Sequence, residues 1–436
     1  MHVFFSGIGG TGIGALALIA KKAGYEVSGS DKQDGGYVQH LREQGVTDIS
    51  IGQTKESIER LHQENPIDWF VYSSAVPKEN PNHPELLFVQ SNNIKNTKRD
   101  EFLSKLLSDT GQKMIAVAGT HGKTTTTAMM IWLAKQLNIP VSYSVGAKLG
   151  FGDMGEFNPD AEYFIYEADE YDRNFLAFSP HITLITGVSW DHPDIYPTQD
   201  DYNQAFREFV GKSKWTIAHP ADLERLNIKP DWHIFSPNPA TLSEDRFTLA
   251  GAVNRQNSQL VVQAMAEMVD PDNADPDLLN QLLVHSNQFP GVSRRFEKIA
   301  DNVYSDYAHT PEKIQGALQI AKEISGKGKI VVIYEGLHNT RQHFIKDQLK
   351  TLFQGANKLC IVPSYLARED KGLEMLAPEK LCQMIQSPTD CHPSQLDDNL
   401  REFISQQSGE GNLVLALSAG GGGSLDEWLR QQFSNN

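Results

Sequence analysis

The stretch "AVAGTHGKTTTT" (residues 116–127) sets glycines, a lysine and hydroxyls in the order a chain uses to hold a nucleotide triphosphate. Gly119 and Gly122 allow a compact turn after an apolar run. Lys123 can set its ammonium against the β- and γ-phosphates, and Thr124 is the hydroxyl expected on Mg²⁺. A strict Walker A motif needs a glycine six residues before the lysine, and Val117 stands there. The loop, with Thr120 and His121 inside it and Thr125 just beyond, reads as a shorter cradle; a fortuitous Gly-Lys-Thr turn is the alternative. Four threonines open the following helix despite modest helix propensity, which suggests that their hydroxyls are used.

Three further groups could do chemistry beside such a loop. "YFIYEADEYDRNF" delivers Glu167, Asp169, Glu170 and Asp172 at the end of an apolar run, where open α/β sheets bind ligands. Alone it would be a solvated acidic loop; next to a nucleotide loop, a carboxylate for Mg²⁺ is the better reading. "ITLITGVSWDHPDIYP" delivers Asp191 and His192 in the same way. "GIGGTGIG" places Gly7, Gly9, Gly10 and Gly12 between a strand and a helix, with Asp31 closing the second strand about 20 residues on. That fingerprint suits NAD or another diphosphate, and a ligand-free tight turn is the bland alternative. Further along, Asn254 and Asn257 share a helical face that could read an adenine edge or cap a helix. Arg294 and Arg295 could clamp phosphate or form surface salt bridges. Asp306 could bind ribose hydroxyls or cap a helix.

Positioning these residues requires α/β units. Short apolar runs alternate with helix-like stretches throughout, the pattern of parallel sheets. "HVFFS", "EVSGSD" and "WFVYSSAV" read as strands of a first unit, residues 1–97. The polar stretch "QSNNIKNTKRDE" precedes a boundary, and "KMIAVAG", "EYFIYEAD" and "ITLITGVS" read as strands of a second unit, 98–290. "NVYSDYAH", "KIVVIYEG", "NKLCIVPS" and "NLVLALSAGGGG" read as strands of a third, 291–436. With 436 residues, 39% hydrophobic and 22% charged, each unit can bury a core. The formal net charge of −16 argues against nucleic-acid or anionic-membrane partners. Cys360, Cys382 and Cys391 lack zinc spacing and read as free thiols. "MHVFFSGIGG" has no basic n-region and reads as a first strand, and no apolar run approaches a membrane span. A cytoplasmic protein without membrane insertion, monomer or homodimer, is expected.

Taken in order, "GIGGTGIG", "VSGSD", "SSAV", "GTHGKTTTT", "EADEYD", "DHPDIYP", "GVSRRFE", "DYAH" and "REDKGLE" resemble the Mur ligase family of peptidoglycan biosynthesis along nearly the whole chain. The pair "GTHGKTTTT" and "EADE" is highly specific. The resemblance implies an N-terminal Rossmann-like domain, a central P-loop-type parallel-sheet ATPase domain and a C-terminal Rossmann-like domain. It implies that Gly7, Gly9, Gly10, Gly12, Asp31 and Ser73 hold a UDP sugar rather than NAD. ATP would lie on Gly119–Thr125 with Asn254 at adenine, Arg295 at phosphate and Asp306 at ribose. Lys123, Glu167 and His192 would be catalytic, with Mg²⁺ on Thr124 and Glu167 and a second Mg²⁺ near His192. The implied reaction joins L-alanine to the lactyl carboxylate of UDP-N-acetylmuramate through an acyl phosphate, with ATP spent.

The chain also departs from the family pattern. Gly187 stands where an asparagine usually precedes Asp-His, Val253 where a histidine precedes Asn254, and "DYAHT" has one histidine where two are common. His338 and Arg341 of "YEGLHNTRQ" stand in for the His-Arg-x-x-Arg pattern of alanine-adding members. The "HNT" triplet also resembles murein peptide ligase, which adds a recycled tripeptide to the same sugar nucleotide. A nicotinamide-dependent oxidoreductase and a non-catalytic nucleotide-binding regulator are the readings from other classes.

Overall fold

Three sheets organise the chain, and in each the central strands are near-continuous apolar runs because helices cover both faces. The computed structural model describes every residue except 74, 193–194, 272–274, 276, 367–368, 371, 419, 421–422 and 434–436. The first sheet comprises β1 (His2–Ser6), β2 (Glu26–Asp31), β3 (Ile49–Ile51), β4 (Trp69–Tyr72) and β5 (Lys95–Lys98). Its order is β3-β2-β1-β4-β5, all parallel. Order reverses between β1 and β4, which opens a crevice at their carboxyl ends.

The second sheet comprises β6 (Lys113–Ala118), β7 (Val141–Ser144), β8 (Gly155–Glu156), β9 (Tyr163–Glu167), β10 (Ile182–Ile185), β11 (Trp215–Ala218) and β12 (Ile234–Phe235). The order is β12-β11-β10-β6-β9-β7-β8, with only β8 antiparallel. Strand β6, which leads into the Gly119–Lys123 loop, is therefore flanked by β9 and β10, the two strands that deliver the acidic run and the Asp-His pair. The third sheet comprises β13 (Glu297–Ala300), β14 (Val303–Asp306), β15 (Ile330–Leu337), β16 (Lys358–Tyr365), β17 (Cys391–Pro393) and β18 (Leu413–Leu417), in the order β13-β14-β18-β15-β16-β17. Here only β13 is antiparallel.

The chain divides into two compact units. Met1–Phe247 with Gln256–Phe289 carries the first two sheets, and Thr248–Arg255 with Pro290–Asn436 carries the third. The expected α/β class and the anticipated strands are present. The polar stretch 90–101 holds edge strand β5, which the pattern does not suggest, and runs into the helix Arg99–Thr110. An edge strand pairs on one side only, so "KNTK" needs no apolar run. All three cysteines are unbonded. Among the described residues, no helix is long and apolar enough to cross a membrane.

Beneath the crevice of the first sheet lies a carboxyl group with no lysine or arginine in contact among the described residues. Glu85, in the first turn of the helix Pro84–Ser91, is 0% exposed. Ser6 Oγ donates to its Oε2 at 2.6 Å, Gln53 Nε2 donates to Ser6 Oγ at 3.1 Å, and His83 Nδ1 is 4.0 Å away. Burial pushes the Glu85 pKa up to about 7 from 4.5, against the hydroxyls of Ser30 and Ser6, with Asp31 adding to the rise. Burial likewise lowers the pKa of His83, so the imidazole is a poor counter-charge. The folded state thus holds the Glu85 proton more tightly than the unfolded chain. Its contribution to stability is complete below the unfolded pKa and falls by on the order of 3 kcal/mol as pH rises through the folded one. We expect Glu85→Gln, which keeps the shape without the charge, to melt above the wild type at pH 8.5 and near it at pH 5. The midpoint of the first thermal transition at the two pH values checks this; an equal difference at both would show that Glu85 does not titrate in the folded state.

Candidate functional site

Strand β6 ends at Ala118, and the chain turns through Gly119 and Gly122 into the helix Lys123–Gln136. Both glycines have positive φ, +148° and +77°. A side chain at Gly119 would strike Thr186 Oγ1 and the carbonyl of Gly187, so this glycine is required by close approach as well as by φ. The loop is fastened outward to the segment after β10. Thr120 N donates to Gly187 O at 2.8 Å, and Thr120 Oγ1 donates to Ser189 O at 2.7 Å beside the Tyr202 hydroxyl, also 2.7 Å away. Thr186 Oγ1 donates to His121 O, and the His121 ring meets Ser189 Oγ at 2.8 Å. Gly187, where the family pattern has asparagine, serves through its carbonyl. Thr124 is buried at the start of the helix, and Thr125 beside it is half-buried.

Lys123 and Thr124 each meet a carboxylate. Lys123 Nζ donates to Gly119 O at 2.6 Å and to Glu170 Oε2 at 2.7 Å. Burial alone would lower the lysine's pKa, but Glu170, Asp169 and Glu167 outweigh it and hold the ammonium above its ordinary value. Thr124 Oγ1 donates to Glu167 Oε1 at 2.8 Å, and Gly146 N donates to Glu167 Oε2 at 2.7 Å. His192 sits at φ 56°, its amide on Asp191 Oδ1 at 2.8 Å and its Nε2 3.8 Å from Glu170 Oε1. Lys123, Thr124, Glu167 and His192 therefore converge at the carboxyl ends of β6, β9 and β10. Among the described residues, no three His, Cys, Asp or Glu side chains are arranged to hold a metal by themselves. The Thr124 hydroxyl and Glu167 carboxylate form a hard-oxygen pair of the kind Mg²⁺ uses together with water and phosphate oxygens, so the donor set fits.

The glycine loop of the first sheet lies in the same compact unit. Gly7 and Ile8 donate their amides to Ser30 O at 2.8 and 2.9 Å, and Gly9 N donates to Asp31 Oδ2 at 2.8 Å. Gly7, Gly9, Gly10, Gly12, Asp31 and Ser73 all line one cleft of about 790 Å³.

Asn254, Arg295, Asp306, His338 and Arg341 belong to the second unit. Asn254 Nδ2 donates to Ala250 O at 2.8 Å, a local bond of the helix-capping kind. Arg295 lies over the Tyr307 ring, 4.9 Å from its centre. Burial pushes Asp306 up to about 6 against the pull of Arg295, and its Oδ2 accepts from Phe296 N at 2.7 Å. His338 has φ 51° and lies 3.6 Å from Glu369, while Arg341 is half-buried on the helix Asn339–Leu352. Asn257 belongs to the first unit, packed against Gly122, so the two asparagines of one helical face fall in different units.

Sequence spacing leaves the four acids of the run equivalent, the family resemblance points to Glu167, and neither says what its neighbours do. Glu170 is the partner of Lys123. Asp169 Oδ2 accepts from Arg99 Nη2 at 2.9 Å. Asp172 accepts from Lys78 at 2.8 Å and Lys98 at 3.1 Å. The adjacent cations of "TKRDE" were the available signal: two basic residues opening a helix, where the helix dipole disfavours them, imply acids elsewhere.

Comparison with known proteins gives consistent results. The Mur ligase family's catalytic-domain profile matches residues 2–110, its middle-domain profile 117–224, and its glutamate ligase domain profile 294–420. A UDP-N-acetylmuramate–L-alanine ligase from Clostridium acetobutylicum is 29% identical, over 96% of this chain and 95% of that protein. One from Caldicellulosiruptor bescii is 28% identical over the same shares. Among solved structures, a UDP-N-acetylmuramate-alanine ligase from Thermotoga maritima superposes with TM-score 0.75 at 24% identity, covering 99% of this chain and 98% of that one. A murein peptide ligase from Psychrobacter arcticus gives 0.66 at 22%, covering 100% and 99%. The fold is shared with both. With three successive family profiles matched along most of its length, the chain belongs to the Mur ligase family.

Proposed function

We propose that this protein joins L-alanine to the lactyl carboxylate of UDP-N-acetylmuramate, with ATP converted to ADP and phosphate. The observation that carries the reading is the paired arrangement at the loop, Lys123 on Glu170 and Thr124 on Glu167, in a chain whose curated relatives bear that ligase name over nearly their whole length. A carboxylate is a poor electrophile and must be activated before an amine can attack it. Transfer of the γ-phosphoryl group gives an acyl phosphate; the alanine amine then attacks the carbonyl carbon and phosphate leaves.

The first step brings two anions together, so preorganised positive charge is the main requirement. Lys123 supplies it, kept protonated by its acidic neighbours and aimed by Gly119 O and Glu170. The loop amides and the start of the helix Lys123–Gln136 add donors for phosphate oxygens. Thr124 and Glu167, with His192 beside Glu170, are the residues that would hold Mg²⁺, which when bound supplies further charge against the phosphoryl oxygens. The cleft lined by Gly7 to Gly12, Asp31 and Ser73 would take the sugar nucleotide. Asn254, Arg295 and Asp306 would serve the adenosine and phosphates, and His338 and Arg341 the amino acid. Asp306, Arg295 and Asn254 already have local partners, so each would exchange or share those bonds on binding.

Phosphate release with ATP, magnesium, UDP-N-acetylmuramate and a panel of amines tests the reading. Turnover with L-alanine is expected, and turnover with the recycled tripeptide alone would assign the protein to the murein peptide ligases instead. Lys123→Ala is expected to lower turnover by ~10²-fold or more through lost preorganised charge; a near-normal rate would remove Lys123 from the mechanism. Glycine, alanine and serine are expected to differ in kcat/KM by the ~1–3 kcal/mol that one methyl group is worth. Equal values for the three would mean that the amine pocket is not shaped for alanine.

A further inference from the structure

Arg99 stands between the glycine-loop cleft and the acidic turn of the phosphate site. It opens the helix Arg99–Thr110 and lines the cleft together with Gly12. Its guanidinium lies directly on Gly12: a methyl group there would run into Nη1. The third glycine of the fingerprint, which usually serves close helix–strand packing, here makes room for an arginine. On its other side, Nη2 donates to Asp169 Oδ2 at 2.9 Å. Asp169 Oδ1 accepts from Tyr171 N at 3.1 Å, so this carboxylate shapes the turn that carries Glu170, the partner of Lys123.

Charge in the cleft makes the arginine necessary. The formally charged lining side chains are Asp31, Lys32, Glu79 and Arg99. Lys32 is already paired with Glu79. Counted over the lining side chains, Arg99, itself shared with Asp169, offsets Asp31, whose carboxylate accepts from the amides of Gly9 and Gln33; without Arg99 the lining is net negative, which disfavours a diphosphate. Arginine's planar fork has five N–H donors, enough to hold Asp169 with one edge and phosphate oxygens with another.

We propose that Arg99 couples the two nucleotide sites: it binds the diphosphate of the sugar nucleotide seated on the glycine loop, and through Asp169 it holds the turn that positions Glu170 and Lys123. The proposal rests on the reading of the cleft as the sugar-nucleotide site. The test titrates the full-length protein calorimetrically with UDP, which has the diphosphate without the muramyl group, and with UDP-N-acetylmuramate. Wild-type protein that binds neither would overturn the reading of the cleft itself. Given wild-type binding, Arg99→Ala is expected to weaken both ligands tenfold or more by a similar factor, with Arg99→Lys recovering part of the loss. UDP binding within twofold of wild type in Arg99→Ala would overturn the proposal. So would a loss confined to UDP-N-acetylmuramate, which would place Arg99 at the lactyl carboxylate. If Arg99→Ala does not fold, Arg99→Lys decides, since it keeps the charge and loses the fork: unchanged UDP affinity overturns the proposal. ADP affinity, measured with and without UDP-N-acetylmuramate, reads the coupling. Wild type should show a severalfold difference that shrinks towards one in Asp169→Asn; no difference in wild type, or an undiminished one in the variant, overturns the coupling.

Discussion

A lysine ammonium withdrawn from water is tolerable only beside a counter-charge, and the contact between Lys123 and Glu170 is the constraint around which the central domain is arranged. The Lys123 side chain is 16% exposed and that of Glu170 2%, so neither charge could be left alone there without a penalty of several kcal/mol. Glu170 stands beyond the end of β9, on a turn rather than in a strand, so the turn itself must be held still. Four contacts do this: Asp169 on Arg99, Asp172 on Lys78 and on Lys98, and the Tyr196 hydroxyl on Glu170 O. The turn runs through Asp172 and Arg173 at φ 56° and 58°, a conformation unfavourable for side chains of this kind, which those ion pairs help to maintain.

A related device recurs in the other two sheets. In the first, Glu85 accepts from Ser6 Oγ at the end of β1. In the third, Glu335 near the end of β15 accepts from Ser418 Oγ at 2.6 Å and from Leu425 N at 3.0 Å, which ties the end of β18 to the start of the helix Leu425–Phe433. Each sheet thus keeps a buried carboxyl group near the carboxyl ends of its central strands, and in the outer two the hydrogen bonds it accepts come from hydroxyls or amides. The middle sheet differs by giving its carboxylates a lysine and a threonine hydroxyl, both from the Gly119–Thr124 loop and the helix it opens.

The strands that hold the site are legible in the chain because they are buried on both faces. "HVFFS", "KMIAVA" and "LVLAL" announce themselves by unbroken apolar character. Edge strands do not: "KNTK" at β5 and "CHP" at β17 are held by pairing on one side, and composition carries little of that. The loop after β6 is legible from its glycines, which the close approach of Thr186 and Gly187 demands. What pattern cannot supply is the allocation of partners across long separations. Which of Glu167, Asp169, Glu170 and Asp172 meets Lys123, and which meets Arg99, depends on the order β10-β6-β9 and on a turn with left-handed residues, neither of which is written locally.

The outward fastening of the Gly119–Lys123 loop has a consequence for how this turn could be inherited or engineered. A longer loop can fold back on itself; this short one borrows its anchors from residues 186–189 and Tyr202. The motif is thus only half of a composite part, whose other half arrives some seventy residues later, just beyond the end of an adjoining strand. Transplanting "GTHGKT" onto a foreign strand–helix junction would carry the glycines and the lysine but none of the struts, and the graft would lack the shape that makes the letters meaningful.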